Sequence, residues 1–222
     1  MLQPSTLKFL KSLARNNNKV WFDAHRDDYA AAKLDFGNFV AGLIKATAKF
    51  DDDVKDLQVK DCIFRINRDI RFSKNKTPYK TNMGASLDRG SKKSIYAGYY
   101  FHTEPGGKSF AGGGIWMPMA PELKKIRQEI DYGLDEFKGI IQRKSFISEY
   151  KQLDNSPDLK LSNLPRGYDK ENPAGEYLKY KSLIALKHLS DEDLTSKSLE
   201  AKAIKAFKAL TPLIKFINKA LE

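Results

Sequence analysis

Ser94-Ile95-Tyr96-Ala97-Gly98-Tyr99-Tyr100-Phe101-His102-Thr103-Glu104-Pro105-Gly106-Gly107-Lys108-Ser109-Phe110-Ala111-Gly112-Gly113-Gly114-Ile115-Trp116-Met117 is the stretch that decides the fold. Its first part, Ser94 to Thr103, is alternating or aromatic, a composition that suits the half-buried pleated surface of a strand. Glu104-Pro105-Gly106-Gly107 follows as turn chemistry, with proline fixing one backbone angle and glycine free to take positive φ. Ser109 to Met117 then reads as the returning strand of a hairpin. Working outward, Cys62, Phe64 and Ile66 alternate with polar positions upstream, and Tyr177 to Leu189 reads as a further strand downstream. The expectation is an antiparallel sheet.

Helical periodicity surrounds that sheet. Leu7, Leu10 and Leu13 recur at helical spacing over residues 5 to 15, with Ser5 as N-cap and Asn16 to Asn18 as a stop. Tyr29, Ala32, Phe36, Phe39, Val40, Leu43, Thr47 and Phe50 mark one face of a longer helix. Leu123, Ile126 and Ile130 continue the pattern with Pro121 in a first turn, and Leu134, Phe137 and Ile140 extend it. The segment from Gln152 to Gly175, with Pro157, Pro165 and Pro173, reads as a long ordered loop. Leu199, Ala203, Phe207, Leu210, Ile214, Ile217 and Leu221 form a last apolar stripe, with a kink expected at Pro212. The fold class expected is α+β, a central antiparallel sheet with a hairpin packed by N-terminal and C-terminal helices, in a single domain spanning residues 1–222.

Composition sets the partners. The 222 residues are 41% apolar and 30% charged, enough for a sizeable core and a solvated surface. The single Cys62 cannot form an intramolecular disulfide and lies in an apolar run, which fits a reducing, cytoplasmic setting. Lys8 and Lys11 interrupt the first apolar stretch, so it lacks the core of a signal peptide, and no run reaches transmembrane length; no membrane partner is expected. A net charge of +11 favours anionic partners, a small anionic molecule or nucleic acid, although lysines spread through helices read as a solvated face.

The charge concentrates in Arg65-Ile66-Asn67-Arg68-Asp69-Ile70-Arg71-Phe72-Ser73-Lys74-Asn75-Lys76-Thr77-Pro78-Tyr79-Lys80. If the strand through Ile66 continues to Arg71, Arg65, Asp69 and Arg71 share one face, because side chains alternate with period two. Two readings follow. In one, Asp69 neutralises the arginines in an internal network, and the motif is purely structural. In the other, one carboxylate cannot satisfy Arg65, Arg68 and Arg71, so spare guanidinium donors remain for a phosphate or carboxylate, with Lys74, Lys76 and Lys80 lining the approach. Tyr79 and Phe72 would stack on a base or anchor the loop.

The run from Arg68 to Thr81, the upstream Asn16-Asn17-Asn18-Lys19-Val20-Trp21-Phe22 and the downstream Gly112-Gly113-Gly114-Ile115-Trp116-Met117-Pro118 together resemble the family known as domain of unknown function 2461. The resemblance covers nearly the whole chain. It implies a soluble, single-domain, bacterial-type protein and no particular reaction, so no catalytic residue is carried over from it.

The remaining candidates stand on their residues. His25 lies four residues after Trp21, hence on one side of a helix, and a histidine beside a tryptophan is more often packed than catalytic. Asp27 and Asp28 near it lack a recognised metal-ligand spacing, and no metal site is expected. Gly112 to Gly114 match neither a P-loop nor a dinucleotide fingerprint, which leaves a bulge or close backbone contact. Asp51 to Asp53 read as a solvated turn. His102 and His188 have no evident partner, and no cofactor can be named. The leading expectation is a binding module for an anionic, phosphate-bearing ligand built on Arg65, Arg68, Arg71, Lys74, Lys76, Tyr79 and Lys80. The alternative is an enzyme acting on a phosphorylated or nucleotide-like substrate, with Asp69 or His25 handling protons.

Overall fold

The computed structural model describes residues 1–222. Pro4 opens helix α1 (Pro4–Arg15), where a missing amide hydrogen is harmless, and Asn16 closes it. Asn18 then caps α2 (Lys19–Ala24), its side chain accepting from the Trp21 amide at 2.9 Å. Helix α3 (Arg26–Thr47) buries Phe36, Phe39, Val40 and Leu43. After a 3-10 turn at Asp52–Val54 and the short α4 (Val59–Cys62), the chain reaches a four-stranded antiparallel sheet of β1 (Met83–Asp88), β2 (Gly98–Thr103), β3 (Ser109–Ile115) and β4 (Leu183–Leu189). Strand order follows chain order, β1-β2-β3-β4. Helices α5 (Ala120–Tyr132), α6 (Leu134–Ile141), α7 (Lys144–Tyr150) and α8 (Gly175–Leu178) lie between β3 and β4. A capping box of Ser190 and Asp193 starts α9 (Asp191–Thr195), and α10 (Leu199–Leu221) ends the chain, running on through Pro212.

Alternation along the strands separates two faces. Ala85, Phe101 and Ala111 stand in register on one of them and are fully buried. Helices α3 and α10 pack there, with Phe39 against Phe101 at 4.8 Å and Phe207 against Tyr99 at 5.0 Å between ring centres. The other face carries Ser86, Tyr100, Phe110 and Leu186, all partly exposed. A single cluster of 50 buried apolar residues joins the terminal helices to the sheet, and the expected α+β arrangement holds. No helix is long and apolar enough to cross a membrane.

Four local expectations are corrected. The run through Cys62 and Ile66 is not a strand that continues to Arg71: Val59–Cys62 is helical, and beyond it only Ile63 and Asn67 form isolated bridges, to Ala85 and Tyr79. Asn67 lies four positions after Ile63 but Ala85 lies six after Tyr79, so the two sides lose register and no ladder propagates. The first hairpin strand starts at Gly98 rather than Ser94, and Gly175–Leu178 is a helical turn ahead of the strand at Leu183. Asp51 is not solvated: it is buried, its side chain caps the 3-10 turn, and it accepts the Tyr99 hydroxyl at 2.6 Å. Burial, with that carboxylate alongside, raises the Tyr99 pKa.

Candidate anion-binding site

Residues 63–85 form an irregular two-sided arm whose outer end carries the basic motif. Its base is fixed from the N-terminal side. Asn17 donates from Nδ2 to the Tyr79 carbonyl at 2.9 Å and accepts the Tyr79 amide at Oδ1 at 3.0 Å, as a neighbouring strand would. The Tyr79 ring lies flat on Phe22, centres 4.0 Å apart, so Tyr79 is a buried anchor rather than a surface for ligand. The Arg68 amide bonds the Pro78 carbonyl and the Lys80 amide the Ile66 carbonyl, which holds the two sides together.

The cations divide by what they touch. Arg68 is spent internally: NH1 donates to the Thr77 hydroxyl and to the Thr77 carbonyl at 3.2 Å, and NH2 reaches Ser73 Oγ at 3.4 Å. Asp69 does not neutralise three arginines. It pairs with Arg71 alone, Nε to Oδ1 at 3.0 Å and NH2 to Oδ2 at 2.7 Å, in an exposed fork that holds its pKa below the usual carboxylate range. The strand face expected to carry Arg65, Asp69 and Arg71 together is not formed, and Arg65 and Arg71 are exposed while Arg68 is half-buried. Lys76 Nζ turns back onto the Ile70 carbonyl at 3.0 Å. Lys80 sits 5.5 Å from the centre of the Phe64 ring, its pKa lowered by burial and by neighbouring Arg65. Arg65 and Lys74 are exposed and have no ion-pair partner.

At the tip, Phe72 is 95% exposed, with the Arg71 guanidinium 5.7 Å from its ring centre. Isolated apolar residues on a surface are ordinary. A phenylalanine 95% exposed, with the Arg71 guanidinium near its ring and Lys74 two residues on, is a different matter, because the protein buries almost none of its surface.

Of the two proton-handling candidates, Asp69 lies in the arm and is taken up by Arg71, and His25 lies outside it. His25 caps α2 and stacks on Trp21, ring centres 4.0 Å apart, while its Nδ1 donates to the Trp21 carbonyl at 2.8 Å. No group of His, Cys, Asp and Glu is arranged to hold a metal ion. Gly113 and Gly114 take φ of +150° and +113°, and a Cβ on either would stand 2.1 and 2.0 Å from the carbonyls of Gly98 and Leu183. Neighbouring strands therefore close over these glycines, and they cradle nothing.

Two features escaped the sequence reading. Tyr100, His102 and Glu104 alternate, which places them on one sheet face: the Tyr100 hydroxyl lies 3.4 Å from His102 Nδ1, and His102 Nε2 lies 3.3 Å from Glu104. Burial lowers the His102 pKa against the opposing pull of Glu104 and pushes Tyr100 up to about 12. The period-two spacing was the available signal. The second feature, a groove along α3, had none, because its walls come from segments that only the fold brings together.

The family model described as "Conserved hypothetical protein (DUF2461)" matches residues 5–216. No curated protein and no solved structure matches the chain.

Proposed function

The chain belongs to this conserved hypothetical family, whose description names no chemistry, and from the geometry of the arm we propose that it is a binding module for nucleic acid. The observation that carries the reading is Phe72, fully presented at the tip between Arg71 and Lys74. Aromatic side chains stack on bases or wedge between them, and flanking cations neutralise phosphates. The cations are strung along a prong from Arg65 and Lys80 at its root to Lys74 at its tip, rather than converging on one pocket. A ligand with charges repeated along its length suits that layout better than a single small anion. Arg68 and Tyr79 then build the arm, and Arg65, Arg71, Phe72, Lys74, Lys76 and Lys80 meet the ligand.

Fluorescence anisotropy with labelled DNA and RNA oligonucleotides over a salt series tests this. With the five cations each engaging a phosphate, the log-log salt slope on duplex DNA is expected at about −4.5. Phe72→Ala should weaken binding by about tenfold or more at unchanged slope, and Lys74→Ala should make the slope shallower by about one. Binding that ignores salt, or equal affinity in both variants, would sink the proposal. So would preferential binding to vesicles of anionic lipid.

A further inference from the structure

At the root of the arm, with which it shares Arg65, a groove of about 920 Å³ runs between the outer face of α3 and residues 59–67. Leu34 stands on its α3 wall, 66% exposed, while Val59, Ile63 and Phe64 contribute apolar surface opposite. The charged residues lining it are Lys33, Lys60 and Arg65, with no acid among them and none of the three in an ion pair. We propose that this groove docks an acidic amphipathic helix of a partner protein, apolar residues lying on Leu34 and Ile63 and carboxylates meeting Lys33, Lys60 and Arg65.

Dimensions and charge placement select that occupant. The α3 wall extends from Tyr29 to Ala41, about 18 Å at the helical rise, which matches three turns of a docked helix. The two walls run in opposite directions. Val59 lies beside Gly37, whereas Asn67 bridges Tyr79, which stacks on Phe22 next to Tyr29. Lys60 and Arg65 therefore stand toward opposite ends of the groove. A fatty-acid carboxylate would call for cations gathered at one end over an enclosed apolar tunnel. Cations spread along both walls, with Leu34 left in solvent, fit a ligand that carries a carboxylate every turn or so and covers the groove from outside. Electrostatic complementarity of this kind sets the choice of partner and the rate of encounter.

The probe is a fluorescein-labelled synthetic peptide of three to four helical turns, leucine along one face and glutamate elsewhere, titrated by anisotropy. Saturable binding is expected, weakened at least tenfold by Leu34→Glu and by the double change Lys33→Glu with Lys60→Glu. All three positions are solvent-exposed, so thermal melts of the variants should match the parent. Amide shifts on peptide addition should concentrate in α3 and residues 59–67 and spare Phe72 and Lys74. The nucleic-acid titration of Leu34→Glu should be unchanged, which separates failure here from failure of the arm. Absence of saturation, equal binding of a scrambled peptide of the same composition, or equal affinity in the variants would overturn the proposal. Displacement of a fluorescent fatty acid from the groove, with no peptide bound, would overturn it in favour of a lipid chain.

Discussion

Asn17 and Tyr79, 62 residues apart in the chain, exchange two hydrogen bonds through the Asn17 side-chain amide and the Tyr79 backbone. Two of the segments that mark the family in sequence are thereby joined in space: the stop after α1 grips the root of the basic arm. The third, Gly112 to Pro118, leaves the sheet at its opposite end, because Gly114 pairs with Gly98 and Gly98 with Asp88 at the far end of β1.

Replacing Asn17 tests that grip. Asn17→Ala leaves the Tyr79 amide and carbonyl without their partners, and a loss of about 1–3 kcal/mol is expected from denaturant melts. Asn17→Asp keeps the acceptor but loses the donor and should fall between. A variant as stable as the parent would show that water replaces the side chain at no cost.

Arg68→Lys should loosen the arm while leaving the core intact. A lysine cannot reproduce the fork that spans Thr77 and Ser73. Limited proteolysis within residues 69–77 should accelerate severalfold, with the thermal midpoint shifted only slightly because the affected residues are mostly exposed. Unchanged cleavage would mean that the Asp69–Arg71 pair and Asn75, whose Oδ1 accepts the Thr77 amide at 2.9 Å, hold the tip unaided.

Gly114→Ala should be severely destabilising, by about 3 kcal/mol or more, or prevent folding altogether. Its φ of +113° strains any side chain, and the Cβ would meet the Leu183 carbonyl at 2.0 Å. Gly106→Ala provides the comparison, since its φ of +90° carries the strain while the space around it is open. Equal losses at the two positions would place the whole effect in the backbone angle.

Asp88 gives the pH dependence. Burial raises its pKa from 3.8 to about 6, against the opposing hydrogen bond from Ser86. Between those values the folded chain retains a proton that the unfolded chain has released, so its contribution to stability falls as pH rises through this window and stays low above it. Asp88→Asn should therefore stabilise the protein by about 2 kcal/mol near neutral pH and by nothing below about pH 4. Urea midpoints at several pH values measure this, and a gain that is independent of pH would contradict the linkage.

Long periodic segments were legible in the sequence, and short or paired ones less so. Leu7, Leu10 and Leu13 and the stripe from Leu199 to Leu221 report their own burial, because a helix satisfies its hydrogen bonds within itself. The hairpin around Glu104 to Gly107 was legible because its turn residues are local. Cys62, Phe64 and Ile66 show a period of two, yet pairing depends on the register of residues 79–85, which no pattern on one side can reveal. The basic motif was legible as charge but not as geometry. Whether Arg68 is free depends on Thr77 folding back across it, and whether Tyr79 binds a ligand or the core depends on Phe22. Asp51 looked like one acid of three until Tyr99 found it across the fold.

The arm is tied at its root by Asn17 and Phe22 and cross-braced at its tip by Arg68, Asp69 and Lys76. A prong that already has its shape meets a partner without a disorder-to-order step. Association should then follow a single exponential whose rate rises linearly with partner concentration, and calorimetry should show a heat-capacity change no larger than the surface of Phe72 and its neighbours accounts for. Cutting the Asn17 tether would convert the same encounter into coupled folding and binding, with a larger heat-capacity change and a saturating rate.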